Sequence, residues 1–461
     1  MKYQTAEPFR IKMIEHVKKT TISERQTWLK EAGYNVFKVK AENVYIDCLT
    51  DSGTSAMSKN QWAALMMGDE SYASCDSFFR LEKSVHEVFD MPFVQPVHQG
   101  RAADYLIAKI YCKPGQIAIG NMHFDTFRGN AEVLGAKVAD LVIQAGKDAS
   151  SAPEDFKGNM DIKACEEFII KNGPENIGLI MMTVTCNNNG GQPVSMKNIR
   201  ETAALAQKYN IPFTMDIARI AENAYFIKTR EAEFKHASIS SIIRQTLSYA
   251  ETAVMSAKKD GLVNIGGLFL TRKQDIFTMA NQLAIVHEGF ITYGGLAGRD
   301  LDALAVGLRE VCDFDYLEYR IKQVEYLGNK LKEAGIPIIE PTGGHGVYVD
   351  ARRFFTHIPQ SEFPAQRLVV ALYELSGIRC VELGACAFGT TDPVTGESHW
   401  PELETMRIAI SRRVYTNNHM DCIANALKDI YLNRASYKGL KLTYEGPIQS
   451  LRHFTAGFEL I

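Results

Sequence analysis

The stretch MSAKKDGLVNIGG, residues 255–267, sets two lysines side by side. A lysine amine attacks an aldehyde only when it is neutral, and burial or a neighbouring cation lowers its pKa. Lys258 would be that cation for Lys259, and Ser256 could bind a phosphate oxygen. Gly266 and Gly267 permit close backbone approach. Taken alone, KKD reads more readily as a solvated turn, because charge runs usually face water. In PFTMDIAR, residues 212–219, Asp216 could pair with a protonated ring nitrogen or simply cap a helix. Arg219 could reach a hydroxyl on the same ring. In PVHQGRAAD, residues 96–104, Gln99, Gly100 and Arg101 precede a helical run, where backbone N–H groups can hold phosphate. Taken alone, an ordinary glycine-containing turn is the more usual explanation of that stretch. LTDSGT, residues 49–54, reads as a polar turn.

The elements that must position these residues are legible from hydrophobic spacing. IGLIMMTVT, residues 177–185, predicts a buried strand, 196–209 a helix, 211–215 a second strand and 253–255 a third. Strand, crossover helix and strand imply a right-handed unit in a mostly parallel sheet. Functional groups in such sheets lie at the carboxyl ends of strands. Asn187, Asp216 and the Ser256–Lys258–Lys259 group therefore fall on one rim. A neutral amine, a ring-nitrogen partner and phosphate ligands are the parts of a pyridoxal phosphate (PLP) site, with Lys259 as the Schiff-base lysine. After Tyr293 the pattern changes: long helix over 301–331, ended by Gly335 and Pro337, strands over 337–352 and helix over 363–375. The expected organisation is an N-terminal arm with part of a small domain (1–56), a large PLP-binding domain (57–310) and a small α+β domain (311–461).

Composition narrows the function classes. With 51 basic and 54 acidic residues in 461, the net charge of −3 gives no global field for nucleic acid or an anionic membrane. No apolar run reaches the roughly 18 to 20 residues that span a bilayer, and the N-terminus lacks a signal-peptide pattern. The nine cysteines are scattered, with no CxxC pair, and the eleven histidines form no tight ligand cluster. The expectation is a cytoplasmic protein with nine free thiols, taking a small amino acid rather than nucleic acid or a membrane as its partner.

In order along the chain, DCLTDSGT, MMGDESY, HQGR, GGQPVSM, ENAYFIK, SAKKD, YGGLAGRD, EFPAQ and RRVYT resemble the β-eliminating PLP lyases, whose branches are tryptophanase and tyrosine phenol-lyase. The resemblance runs from EPFRIK to LRHFTA, nearly the whole chain. It implies an α/β fold of the aspartate-aminotransferase type (fold type I) and a homotetramer. It makes Lys259 the Schiff-base lysine and Asp216 the pyridine partner, with Arg219 near the cofactor oxygen. Gln99, Gly100, Arg101 and Ser256 would hold the phosphate, Phe124 would stack on the ring, and Asn187 would support the cofactor hydroxyl. Arg412 would clamp the substrate carboxylate, for which a bidentate fork is suited. Thr50 and Ser52 would lie in the substrate-side loop. Tyr72 would be the general acid, contributed across a subunit interface, and Gly53, Glu70 and Asn264 a potassium site.

Three positions separate the branches within that resemblance. Leu383 stands where phenol-lyases carry an arginine, Asp125 where they carry a threonine, and His453 where they carry a phenylalanine. All three favour the tryptophanase branch, so the expected reaction is β-elimination of L-tryptophan to indole, pyruvate and ammonia. Asp125 and His453 would stabilise the leaving indole. The alternative is tyrosine phenol-lyase or a broad eliminase acting on tyrosine, cysteine or serine. The chain departs from the family pattern at Ala102, Phe127, Ile217 and Thr391, in AFGTTDP.

Overall fold

The computed structural model describes residues 6–392, 395–447 and 449–461. Pro393 of AFGTTDP and the first five residues lie outside the described residues. The chain divides into two compact units, 52–146 with 154–320, and 1–51 with 147–153 and 321–461. The boundaries at 51 and 320 stand beside the expected 56 and 310, and the short segment 147–153 joins the second group.

The larger unit holds a seven-stranded sheet: β1 (Phe93–Val97), β2 (Ile117–Gly120), β3 (Lys137–Asp140), β4 (Ile177–Thr183), β5 (Phe213–Asp216), β6 (Thr252–Ser256) and β7 (Gly267–Thr271). Their spatial order is β1-β7-β6-β5-β4-β2-β3. Strands β6, β5, β4, β2 and β3 pair in parallel, and β7 runs antiparallel to both neighbours. The α/β class with a mostly parallel sheet is thus as expected. Every residue of β4 is buried, which is why it reads as a continuous apolar run rather than an alternating one.

The crossover between β4 and β5 is the helix Met196–Lys208. Ser195 caps it by accepting the Asn198 N–H at 3.1 Å, and Met196, Ile199, Leu205 and Ala206 form its buried stripe. The left-handed Asn210 (φ 52°) turns the chain, and β5 then starts at Phe213, two residues after the expected start at 211, and runs to Asp216.

The expected long helix over 301–331 is broken. One helix, Gly298–Glu310, stops, and another, Phe314–Glu333, starts after Asp313 accepts the Tyr316 N–H at 2.8 Å. A side-chain acceptor at that point offers the backbone a new start.

The other unit carries a three-stranded antiparallel sheet: β8 (Gly346–Asp350), β9 (Val381–Leu383) and β10 (Thr405–Ala409), in the order β9-β10-β8. The expected helix over 363–375 is Pro364–Ser376, and the strands expected over 337–352 reduce to β8. Its core gathers Leu327, Leu331, Val347, Val349, Leu368, Leu372, Ile408 and Leu427. All nine cysteines are free. Among the described residues no helix is long and apolar enough to cross a membrane.

Candidate active site

The KKD run is not a solvated turn. Lys259 and Asp260 are buried and Lys258 is half-buried. Asp260 explains why: its Oδ2 accepts the backbone N–H groups of Ala221 (2.7 Å) and Glu222 (3.3 Å) in the first turn of the helix Ile220–Arg230. A carboxylate there satisfies orphan donors and complements the helix dipole. Its own N–H donates to the Ala218 carbonyl at 3.3 Å. Lys259 is therefore anchored through its neighbour to the very segment that carries Asp216 and Arg219. Charge-run statistics missed this because the cap's partner lies some forty residues away in sequence.

The phosphate-binding candidates also converge. Gln99 is the N-cap of the helix Gly100–Tyr111 and makes no side-chain cap bond, so its own amide does not satisfy the N–H groups of the first turn. Gln99 bridges to Gly266, whose N–H donates to the His98 carbonyl at 2.8 Å. A Cβ on Gly100 would stand 2.5 Å from the Ser256 Cβ and 3.1 Å from its Oγ. Glycine is required there by contact, and it presses the helix N-terminus onto the end of β6. An open helix N-terminus beside a hydroxyl fits a phosphate dianion. Arg101 is exposed, and its charge together with burial holds the Lys258 pKa down, burial being the larger cause.

Asp216 ends β5, opposite Thr183 of β4. Desolvation pushes its carboxyl above the ordinary value. The Ala218 N–H, donating to Oδ1 at 3.0 Å, and the charges of Lys259, Arg219 and His123 oppose that rise. The Lys259 amine stands 5.7 Å from the centre of the Phe124 ring. Amine, aromatic face and carboxyl thus occupy one rim, and a carboxyl raised by burial, with cations about it, is one whose charged form a pyridinium nitrogen would favour. Arg219 is buried, and its carbonyl accepts the Thr185 hydroxyl at 3.0 Å. Asn187 is buried and donates to Asn188. Asn188 in turn donates to the Asp125 Oδ1 at 3.0 Å and the His123 carbonyl at 2.9 Å.

Three residues of this rim escaped sequence reasoning. Asn188 ties the segment after β4 to Asp125. Asp104, one helical turn beyond Gly100, is buried and accepts the Thr126 hydroxyl. Burial first, then the Asp216 charge, push its carboxyl up to about 7. His123 is buried against Phe127, the rings stacked at 5.1 Å. The HQGRAAD motif already ended on Asp104, but nothing in sequence joins it to Asp216.

Of the remaining candidates in this unit, Gly53 and Asn264 meet: the Asn264 amide donates to the Gly53 carbonyl at 2.9 Å, and the Gly53 N–H donates to the Lys258 carbonyl at 2.7 Å. Ser52 is half-buried beside them in sequence. Glu70 serves a different element, accepting the Gly298 N–H at 2.9 Å at the start of Gly298–Glu310. Tyr72 is exposed, stacks on Phe290 and meets Tyr293 edge-on. Its hydrogen bond with Tyr293 raises the phenol pKa, so it holds its proton. Ile217 and Ala102 are buried in the core.

In the other unit Arg412 is fully buried and donates to Asp51 Oδ2 at 2.9 Å. Sequence reasoning set Arg412 free for a substrate and left Asp51 unremarked within LTDSGT. Thr50, next to Asp51, is half-buried. Leu383 ends β9, packed with Tyr348, Ile339 and Phe37. His453 is buried, and desolvation, then Arg407 and Arg452, lower its pKa to about 4. The imidazole is therefore neutral at physiological pH. Thr391 is exposed in a two-stranded ribbon with Ser398.

A mixed, mostly parallel sheet with a buried lysine, a strand-end aspartate and an uncapped glycine helix at one rim defines a fold-type I, PLP-dependent enzyme. A solved complex described as the SepCysS-SepCysE N-terminal domain complex is similar in fold, with TM-score 0.56 over 85% of this chain and 96% of that one, at 13% identity. Residues 47–426 match the Beta-eliminating lyase family. A tyrosine phenol-lyase of Symbiobacterium thermophilum is 47% identical over 99% of both chains. A probable beta-eliminating lyase of Trichomonas vaginalis is 48% identical over 100% of this chain and 99% of its own, and a tyrosine phenol-lyase of Clostridium tetani 48% over 98% of both. The chain belongs to the β-eliminating lyase family and is a PLP-dependent lyase. The leaning towards the tryptophanase branch, drawn from Leu383, Asp125 and His453, finds no support among these relatives. Three positions carried that leaning, whereas identity to phenol-lyases extends over the whole chain.

Proposed function

We propose that the chain catalyses β-elimination of an aromatic L-amino acid, with L-tyrosine as substrate and phenol, pyruvate and ammonia as products. Bound PLP supplies the electron sink that lets a Cα–H bond ionise. The observation that carries the reading is the rim itself: Lys259, Asp216 and Phe124 within one buried cluster, beside an uncapped helix N-terminus. Relatives named tyrosine phenol-lyase, alike over 98% or more of this chain, support the substrate.

In this reading Lys259 would hold the cofactor, and its Nζ would take the α-proton of the substrate. Asp216 pairs with the ring nitrogen, while Gln99, Gly100, Arg101 and Ser256 hold the phosphate. Phe124 orients the ring by stacking, and Arg219 and Asn187 steady its hydroxyl. Lys258 lends Lys259 a neighbouring positive charge. Arg412 orients the substrate carboxylate, with Asp51 keeping the guanidinium in place and Thr50 and Ser52 bordering the loop. Tyr72, its proton retained by Tyr293, delivers that proton to the ring carbon of the leaving group as the Cβ–Cγ bond breaks. One water hydrolyses the remaining three-carbon unit, its oxygen becoming the pyruvate carbonyl and the nitrogen leaving as ammonia.

A second reading, elimination of indole from L-tryptophan, has one set of observations in its favour: apolar Leu383, and a neutral His453 able to accept the indole N–H. Asp125 would assist. Potassium at Gly53, Glu70 and Asn264, a homotetramer and a cytoplasmic location are proposed from the family resemblance, and no step uses the ion. The deciding experiment incubates the PLP-loaded protein with L-tyrosine, L-tryptophan, L-serine and L-cysteine and identifies the products. Phenol with pyruvate supports the proposal. Indole without phenol replaces it with the second reading, and pyruvate from serine or cysteine alone makes the enzyme a general eliminase.

A further inference from the structure

Two motifs of the sequence, HQGR and YGGLAGRD, contribute residues that the proposed function leaves idle: His98 and the pair Gly294 and Gly295. Glu288 joins them, the residue that ends the helix Gln274–His287. Its Oε2 accepts the His98 backbone N–H at 2.9 Å and lies 2.5 Å from His98 Nδ1. A carboxylate only accepts, so Nδ1 carries the proton and both His98 donors end on one oxygen. The Glu288 side chain is 7% exposed, against 39% for His98. An ordinary surface ion pair would leave the carboxylate in water and the backbone out of the contact.

The Glu288 carboxylate is offered from a fixed place. A Cβ on Gly294 (φ 55°) would stand 1.7 Å from the Pro96 carbonyl oxygen, so the loop after Glu288 lies flush against the end of β1. Gln95 fastens the same contact: its Nε2 donates to the Pro96 carbonyl at 2.8 Å and to the Ile291 carbonyl at 3.2 Å. The Glu288 N–H donates to the Ala284 carbonyl at 2.7 Å. On its other side, a Cβ on Gly295 would stand 3.0 Å from the Glu288 carbonyl oxygen.

What Glu288 grips is the turn into the phosphate helix. His98 is held on both sides of its Cα, its N–H by Glu288 and its carbonyl by the Gly266 N–H at 2.8 Å. Gln99 follows in extended backbone (φ −165°, ψ 168°). It is pressed onto Gly267, where a Cβ would stand 2.6 Å from the Gln99 carbonyl carbon. The direction in which the Gly100 and Arg101 N–H groups leave this turn follows from how the His98 peptide is held. Backbone recognition of phosphate is directional, and a donor tilted off line weakens its bond steeply.

We propose that Glu288 is a positioning residue for the phosphate cradle: by holding the His98 backbone and imidazole on one oxygen, it fixes the turn that aims the first N–H groups of the helix Gly100–Tyr111 at the cofactor phosphate. This rests on Gln99, Gly100, Arg101 and Ser256 being the phosphate ligands, as proposed above.

The test measures dissociation constants of the apo chain for PLP and for pyridoxal, which has the same ring and aldehyde but no phosphate. Glu288→Ala should weaken PLP about tenfold or more, as for loss of a hydrogen bond to a charged group, and leave pyridoxal unchanged. Glu288→Gln, whose amide oxygen still accepts from His98, should restore PLP binding. Glu288→Asp, which draws the carboxylate back by one methylene, should behave as Glu288→Ala, and it carries the comparison if Glu288→Ala does not fold by circular dichroism. Ser256→Ala should also weaken PLP alone, which marks the phosphate site. The role of Glu288 is overturned if Ser256→Ala separates PLP from pyridoxal and Glu288→Ala does not. It is overturned too if Glu288→Ala weakens both compounds equally, which marks mere structural damage, or if Glu288→Gln binds PLP as weakly as Glu288→Ala. If neither Ser256→Ala nor Glu288→Ala separates the two compounds, the phosphate assignment fails, and the role of Glu288 falls with it.

Discussion

The rim of the seven-stranded sheet and the Arg412–Asp51 pair both bury charge, but they settle it differently. At the rim, desolvated carboxyls outrun local compensation: Asp104 is pushed to about 7 and Asp216 is raised, with buried polar atoms on His123 and Thr183 left over. Arg412 and Asp51, by contrast, meet at 2.9 Å as a direct ion pair, both sealed from solvent. In the proposed function the rim is a set of buried groups that the ring of a bound cofactor would complete. The Arg412 pair is a support that keeps a guanidinium in one geometry. Loss of a rim residue should therefore damage chemistry with little loss of stability, whereas loss of Asp51 should damage stability first.

The largest effect should come from Lys259→Ala, which removes the amine and should cut pyruvate release by about 10³-fold or more, with loss of absorbance from lysine-bound cofactor. Undiminished turnover would end the rim assignment. Next, Asp216→Asn should lower kcat by about 100-fold or more while shifting the urea midpoint little. A large midpoint shift with intact kcat would reverse the contrast drawn above. Asp51→Ala removes a carboxylate from a buried guanidinium and should cost about 3–5 kcal/mol in urea unfolding; a loss below ~1 kcal/mol, typical of an exposed pair, would show that the pair is not a support.

The smallest effect concerns pH. His453 has a folded pKa of about 4 against an ordinary 6.5. The unfolded chain therefore takes up the proton first, so this contribution to stability is complete above pH 6.5 and is lost as pH falls towards 4. His453→Phe should flatten the fall in thermal midpoint between pH 6.5 and 4. An unchanged profile would remove His453 from the acid sensitivity.

Much of this was legible along the chain. The all-apolar run at β4 and the amphipathic helix after it are local patterns, and the strand-end rule put Asp216 and Lys259 on one rim before any coordinates. Gly100 was legible as a turn but not as a contact, because the Ser256 atom that demands glycine belongs to a strand more than 150 residues on. The break at Asp313 was missed because apolar spacing continues across it, while one side-chain acceptor restarts the helix.

By itself, then, the order of residues determined the layered α/β class and the lyase family, since hydrophobic period and motif spacing are properties of neighbours along a chain. Tertiary structure alone decided that KKD is buried by Asp260's cap on a distant helix, that Asp51 engages Arg412, and that Asp104 and His123 join the rim. Burial, charge coupling and hydrogen-bond closure depend on distances in space, and such distances between remote residues exist only once the chain has folded.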